Sequence, residues 1–193
     1  MKRSLALLAL VWSAILCSCA SPRERLYTLV GPEPTPVVPS PTLHIVLGPV
    51  TLPDAVDRPQ LVVRQSATRL VALEQERWAE PLREAVPRVL AESIARHLRS
   101  VSVTTSTSGA PIVPDVRIAV EVRRLEAIPG EAVIVEAHWW LRSRAGQTAP
   151  EGSSVARVRV EGRPNDYESL VAAEAAAFAA IGADLAGAID APH

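Results

Sequence analysis

The sequence has few of the residues that usually mark a catalytic, metal-binding or nucleic-acid-binding protein. It contains two cysteines, one phenylalanine, an aromatic content of 4% and a single lysine, Lys2. The 20 basic and 21 acidic residues leave a formal net charge of −1, with no basic block. Because phosphate binding requires a concentrated cationic surface, we do not expect nucleic acid as a partner. The 193 residues, 48% of them hydrophobic, indicate one ordinary globular domain with short additions.

The N-terminus has the pattern of a secretory signal. Residues 1–3 form a short positive start, and residues 4–16 form an apolar run too short to span a bilayer as a stable helix. The run ends in Leu-Cys-Ser-Cys at 16–19, which resembles the bacterial lipobox with Cys19 as the lipid-modified residue. The alternative is cleavage at another small-residue site that leaves two free thiols. We predict a lipoprotein signal peptide over 1–18, lipid attachment at Cys19 and a lipidated tether over 19–25.

Lipidation determines the compartment that we expect for the mature chain. A chain that begins at Cys19 has no second cysteine, so its domain must fold without an internal disulfide. Ala20 and Ser21 follow the cysteine, and neither is the aspartate that retains lipoproteins at the inner membrane. We therefore expect an outer-membrane anchor, with the domain over 26–190 facing the periplasm.

Enzyme motifs are also missing from the sequence. It contains no Gly-x-Ser-x-Gly sequence, no phosphate-binding glycine loop and no dinucleotide fingerprint. The four histidines are widely spaced, and none forms a short-spaced metal pair with another histidine or a cysteine. His138 could act as a base, and Glu74 with Glu76 as paired carboxylates, but a polar strand position and a solvated strand end explain them as well. We predict a non-enzymatic protein with no cofactor other than the covalent lipid on Cys19.

A proline-rich stretch follows a short strand-like segment at 26–29. More than half of the 17 prolines lie between Pro22 and Pro59, and residues 31–41 can form neither a helix nor a central strand. We predict an extended loop over 31–42 that acts as a spacer; an SH3-type ligand is the alternative. About ten residues that rise ~3.1 Å each would lift the domain roughly 30 Å from the bilayer.

Alternating apolar and polar residues predict the strands of one sheet. A first strand over 43–47 ends at Gly48-Pro49, and runs at 61–64 and 69–73 form a hairpin. The last three strands, over 115–124, 133–141 and 156–161, form an antiparallel meander with one apolar and one charged face.

Two helices complete the predicted fold. The first starts at Pro81 and buries an apolar residue every fourth position, with Pro87 expected to kink or delay it. The second starts at Asn165, with Glu168 completing a capping-box-like pair. The fold class is therefore α+β, a two-layer sandwich of a mainly antiparallel sheet with two helices on one face.

Two surfaces are candidates for partner docking. The first is a predicted turn formed by Asp57, Arg58, Pro59 and Gln60. Residues that bind other proteins are often found in exposed turns. The alternative is that Arg58 and Trp78 only lock this turn against the first helix. The second surface is the charged strand face, which includes Arg117 and Arg157; it is either solvated or in contact with a neighbouring subunit or another protein. Its members are Arg117, Glu121, Arg123, Arg157, Arg159 and Glu161.

Several segments resemble the PqiC-like ABC-type transport auxiliary lipoproteins. The most specific are Leu-Pro at 52–53 followed by Asp-Arg-Pro-Gln at 57–60, and Trp-Ala-Glu-Pro-Leu at 78–82. Cys19, Tyr-Thr-Leu at 27–29 and Asn-Asp-Tyr at 165–167 before an alanine-rich helix complete the similarity.

The resemblance implies a non-enzymatic component of an intermembrane lipid transport system. Its expected partners are an MCE-domain periplasmic protein or ABC transporter components, together with the outer membrane through the lipid anchor. A homo-oligomer formed through the charged strand face is a further possibility. Two other classes stay open: an outer-membrane lipoprotein that regulates a cell-wall or envelope-assembly enzyme, and a direct lipid carrier. We rank the carrier last, because a cavity needs more apolar surface than two helices on one small sheet leave free.

Overall fold

The structure, a computed structural model, describes residues 23–31, 41–106, 113–144 and 150–190. The predicted signal peptide, Cys19 and most of the proline-rich stretch lie outside these residues. The described chain forms eight strands and two helices. In chain order they are β1 (Arg25–Tyr27), β2 (Leu43–Thr51), β3 (Gln60–Ser66), β4 (Arg69–Trp78), α1 (Leu82–His97), β5 (Val101–Thr105), β6 (Val116–Ile128), β7 (Ala132–Ser143), β8 (Glu151–Arg159) and α2 (Tyr167–Asp190).

The strands form two mixed sheets, which confirms the α+β class. The larger sheet has the order β5-β2-β6-β7-β8, and the smaller has the order β1-β4-β3. The predicted meander is the antiparallel part, β6-β7-β8, and the predicted hairpin is β3-β4. β2 pairs in parallel with both β5 and β6, because long crossovers that include α1 bring the chain back to the same end of the sheet. The smaller sheet and β5 were not predicted.

The first strand continues beyond the position predicted for its end. β2 extends to Thr51, and its register with β6 shifts between Leu47 and Val50. Gly48 lies in this irregularity with a φ of 131°, a conformation that only glycine adopts without strain. The Gly48-Pro49 dipeptide therefore makes a bulge inside the strand, and the prediction that it ends the strand is wrong.

Both helices form where the apolar pattern places them, but their starts differ in detail. α1 begins at Leu82, directly after Pro81; the buried Pro87 lies inside it and does not delay it. In α2 the capping residue is Asp166, whose Oδ1 accepts a hydrogen bond from the Ser169 amide at 3.1 Å. This bond lowers the pKa of Asp166. The predicted Asn165–Glu168 pair is wrong by one residue, because the Asp166 carboxylate reaches the amide three positions on.

The helices pack on one face of the larger sheet and against each other. α1 lies over β2 and β5, while α2 lies over β7 and β8. The helices meet where Ser93 Oγ donates to the Ala179 carbonyl at 2.6 Å, beside Gly182. A Cβ atom at Gly182 would lie 2.6 Å from Ser93 Cβ, so only glycine permits this approach. α2 is long and apolar enough to cross a membrane, but 61% of its apolar window is buried inside the protein, as in a core helix.

Candidate docking surfaces

The predicted docking turn forms one wall of a small cavity. Residues 53–60 fold back on themselves, with the amides of Val56 and Asp57 donating to the Pro53 carbonyl at 3.0 and 3.2 Å. This turn faces the end of β4 and the start of α1 across a space of about 200 Å³, which we call the turn pocket. Its lining is Asp57, Arg58, Pro59, Trp78, Ala79, Glu80, Pro81 and Arg83.

The contacts in the turn pocket separate the two interpretations of this segment. Trp78 is buried, and its amide donates to the Pro59 carbonyl at 2.8 Å, while Asp57 pairs with Arg83 of α1 at 3.5 Å. These contacts lock the turn, as the structural alternative expects. Arg58 takes no part in the locking, because its guanidinium is exposed and has no hydrogen bond or ion pair in the described part of the chain. Gln60 hydrogen-bonds to Glu74 at 3.4 Å.

The residues of the second predicted surface form a polar face of the larger sheet, but they do not form one cluster. Arg117 lies near the start of β6, opposite Arg142 of β7. Arg157 lies on β8 beside the opposite end of the β6-β7 hairpin, where it pairs with Glu131 at 3.0 Å. Arg117 and Arg157 are therefore at different ends of the sheet, and one partner segment cannot contact both through a compact site.

A buried carboxylate of β4 binds two side chains of β1 and so holds β1 in the smaller sheet. This role was not predicted from the sequence. Glu76 is only 4% exposed; it pairs with Arg25 and accepts a hydrogen bond from the Tyr27 hydroxyl at 2.7 Å. Burial and this hydrogen bond raise the pKa of Tyr27 to about 12. The expectation that Glu76 occupies a solvated strand end is wrong, because β1 pairs in parallel with β4 and covers it.

The same contacts revise the role of the proline-rich stretch. β1 precedes that stretch and belongs to the smaller sheet, and Leu29, which follows β1, is fully buried. The stretch thus connects two parts of the folded domain. It cannot lift the domain from the bilayer, so the spacer prediction is wrong.

An apolar groove runs beside the start of the domain. Tyr27, Thr28, Val30 and Gly31 form one wall, and α2 forms the other through Val171 and a row of alanines; the groove has a volume of about 570 Å³. The alanines are Ala172, Ala175, Ala176 and Ala179. The groove is open to solvent along its length and is not an enclosed lipid cavity.

The histidine considered as a base makes contacts that are typical of a polar strand position. His138 Nδ1 lies 2.9 Å from Ser153 Oγ on the neighbouring strand, and its ring meets the Trp140 ring edge-on at 4.5 Å. Within the described ranges no group of three or more His, Cys, Asp or Glu side chains is placed to hold a metal ion.

The fold and its surfaces define a two-sheet α+β domain. One face of the larger sheet is covered by the helices, and the other is charged and open except where Arg64 of β3 pairs with Glu126 at 2.7 Å. The chain belongs to the family of ABC-type transport auxiliary lipoprotein components, whose sequence model matches residues 27–186. The resemblance noted from the sequence is therefore confirmed. Membership makes the protein an auxiliary lipoprotein of transport, which is consistent with a non-enzymatic role at a membrane facing the periplasm.

Solved structures share the fold at low sequence identity. The crystal structure of an uncharacterized protein has a TM-score of 0.72 and 19% identity, covering 88% of this chain and 100% of that chain. The protein XCC0632 from Xanthomonas campestris, assigned to the DUF330 family, has a TM-score of 0.65 and 16% identity, covering 84% of this chain and 93% of that chain. Comparison with curated protein sequences gave no match.

Proposed function

We propose that the protein is an outer-membrane-anchored periplasmic lipoprotein that acts as a docking component of an MCE/ABC-type intermembrane lipid transport system. The observation that carries this proposal is the turn pocket. Within the described residues, each charged side chain of its lining has an ion-pair partner except that of Arg58. Family membership supports the transport role, and the lipobox-like sequence ending at Cys19 supports the anchor.

The chemistry of the turn pocket suits a side chain of another protein. Pro59, Pro81 and Trp78 supply rigid apolar walls, and a space of about 200 Å³ holds one or two side chains. Anchor residues at interfaces fill pockets of this kind, and arginine is among the residues that contribute most there. Asp57 is already paired with Arg83, and the Arg58 guanidinium is unpaired within the described ranges. It is therefore available to a partner carboxylate or carbonyl at the rim of the pocket.

The anchor and the fold together keep the domain close to the membrane. Five residues, 20–24, separate Cys19 from β1, and an extended chain of that length spans at most about 18 Å. β1 is then held to β4 by the contacts of Arg25 and Tyr27 with Glu76. The anchor is therefore connected to the smaller sheet, whose strand β4 supplies Trp78 to the turn pocket.

Crosslinking tests the docking role. A photo-crosslinking amino acid at position 58 of the full lipoprotein should form an adduct with the MCE-domain protein of the same bacterium. The same amino acid at Arg69, an exposed arginine at the β3-β4 turn, should form little adduct. Arg58→Glu should weaken capture of the MCE-domain protein at least tenfold, whereas Arg69→Glu should leave it within twofold. Equal adducts at the two positions, or adducts only with a cell-wall enzyme, would contradict the proposal.

The anchor has its own test. Cys19→Ala should abolish incorporation of a labelled fatty acid and release the protein from membranes, while Cys17→Ala should leave labelling intact once the signal is processed. Labelled wild-type protein should fractionate with the outer membrane. Labelling that persists in the Cys19→Ala variant would place the lipid elsewhere.

A further inference from the structure

On the open face of the β6-β7 hairpin, three pairs of directly opposite residues, which we call rows, carry a charge on both strands. Two of the three rows combine opposite charges. Asp115 lies opposite Arg144, with side chains 4.0 Å apart, and Arg124 pairs with Glu136 at 2.8 Å. Glu121, opposite His138, pairs with Arg123 at 3.0 Å. The exception is the row in which Arg117 lies directly opposite Arg142.

Neither arginine of this row has an ion-pair partner among the described residues, and the acidic side chain of the neighbouring row is that of Glu151 on β8. Both side chains are exposed, and neither makes a hydrogen bond or an ion pair there. Asp115 is engaged by Arg144 and by the His44 amide at 2.9 Å. Across the sheet the row continues through Val46, which is uncharged. Like charges directly opposite each other destabilise a sheet, so this row costs stability in the isolated domain.

The neighbouring row adds an aromatic surface to the two guanidinium groups. Trp140 is partly exposed; it lies between the small Ala119 of β6 and the exposed Glu151 of β8. Arg117, Arg142 and Trp140 therefore form a continuous patch at one end of the sheet, which we call the arginine patch. Two guanidinium forks bind carboxylates in a bidentate manner, and an adjacent indole contacts the apolar part of the same segment.

We infer that the arginine patch is a second docking site, and that its occupant is an acidic segment of the transport partner, with carboxylates bridging Arg117 and Arg142. This inference rests on the proposed function, because it assigns a further surface to the same docking role. Binding of a carboxylate removes the repulsion within the row, so the charge arrangement that costs stability in the free domain favours the complex.

The position of the patch favours a protein over the bilayer surface. The start of the domain lies beside Glu168 at the beginning of α2, and Pro164 just before α2 packs against Gly130 in the β6-β7 turn. Arg117 is eleven residues along β6 from Ile128, which is about 36 Å at the rise of a strand. The patch is therefore at the end of the sheet away from the lipidated tether.

Matched charge reversals on one face test the inference. The full lipoprotein is made as Arg117→Glu/Arg142→Glu and, as control, as Arg123→Glu/Arg157→Glu, which changes the net charge equally but replaces arginines already paired with Glu121 and Glu131. The probes are the MCE-domain protein of the same bacterium and a fluorescent octaglutamate peptide. We expect the patch variant to weaken binding of both probes at least tenfold and the control variant at most threefold. Binding of octaglutamate to the wild type should quench tryptophan fluorescence and weaken steeply with salt.

Three outcomes would overturn the inference. They are equal losses in the two variants, octaglutamate binding that persists in the patch variant, and a patch variant that loses binding only to anionic phospholipid vesicles. If the reversal prevents folding, Arg142→Gln replaces it. This variant removes the repulsion, so it should raise the melting temperature while weakening octaglutamate binding, and an unchanged affinity would also count against the patch.

The two proposals fail in different ways. Octaglutamate binding at the patch without any capture of the MCE-domain protein would contradict the proposed function alone. The arginine patch alone would be contradicted by a different result. In that result, position 58 still crosslinks to the MCE-domain protein in both double variants, and the wild type does not bind octaglutamate.

Discussion

The two faces of the β6-β7 hairpin differ in what they contribute to the stability of the domain. On the covered face, Ile118, Val120 and Val135 are almost fully buried beneath the helices. On the open face, the same strands carry arginines, glutamates, His138 and Trp140. Burial of one such apolar side chain contributes about 1.5–3 kcal/mol, whereas an exposed ion pair contributes at most about 1 kcal/mol. The covered face therefore contributes most of the stability of the hairpin, and substitutions on the open face should affect stability little.

Removal of the central aromatic residue should weaken the covered face most. Phe178 is the only phenylalanine in the chain and is fully buried in α2. We expect Phe178→Ala to lower the free energy of unfolding by about 3–5 kcal/mol, because it removes apolar contacts and leaves a cavity. Urea unfolding of the soluble domain measures this change. Arg123→Ala on the open face should change it by less than about 0.5 kcal/mol, and a similar loss in both variants would contradict the comparison.

A buried carboxyl makes the covered face sensitive to pH. Glu174 lies in α2 at 3% exposure. Its Oε1 has no hydrogen-bond partner among the described residues, and burial raises its pKa from 4.5 to about 8. Between these values the folded protein keeps a proton that the unfolded chain has lost. The free energy of unfolding should therefore fall with rising pH, by up to about 1.4 kcal/mol for each pH unit.

The variant Glu174→Gln isolates this effect. It should leave stability near pH 4.5 almost unchanged, raise it at pH 8 and flatten the pH dependence between those values, as measured by urea unfolding at a series of pH values. Parallel pH profiles for wild type and variant would show that Glu174 ionises freely in the folded protein.

The helix contact beneath the sheet offers a sharper comparison within α2. A Cβ atom at Gly182 would lie 2.6 Å from Ser93 Cβ and 3.1 Å from the Leu90 carbonyl oxygen. A Cβ atom at Gly187 would have nothing within 4 Å. We expect Gly182→Ala to destabilise the domain by about 1–3 kcal/mol through overpacking. Gly187→Ala should stabilise it by up to about 1 kcal/mol, because alanine is the better helix former. Thermal melts of both variants would show shifts of opposite sign; shifts of equal sign would refute the close contact.

The smallest effect is expected on the open face. Arg157 and Glu131 are 3.0 Å apart, but their side chains are 58% and 61% exposed. Arg157→Ala should lower the free energy of unfolding by at most about 1 kcal/mol, and the difference from wild type should vanish in 1 M salt. A larger or salt-independent loss would mean that this arginine supports the fold through its packing.

Several parts of this fold were predictable because their signal is local. Alternation along 115–124 and 133–141 identified β6 and β7, and four-residue spacing after Pro81 identified α1. The edge strand β5 was missed because five residues give too short a pattern to distinguish from a loop. The turn at 57–60 remains a predicted docking surface. Only the contacts of Trp78 and Asp57 distinguish the residues that lock the turn from Arg58, whose guanidinium has no partner in the described part of the chain.

Local patterns in the sequence were enough to predict most strands and both helices, the charged and apolar faces of the strands and the family resemblance, because periodicity and short motifs are properties of neighbouring residues. Tertiary structure alone decided that β1 joins β4, which buries Glu76 and makes the proline-rich stretch a connection within the domain. It also decided the register that opposes Arg117 to Arg142 and separates both from Arg157. Pairing between strands depends on the summed packing of distant segments, and no single segment carries that information.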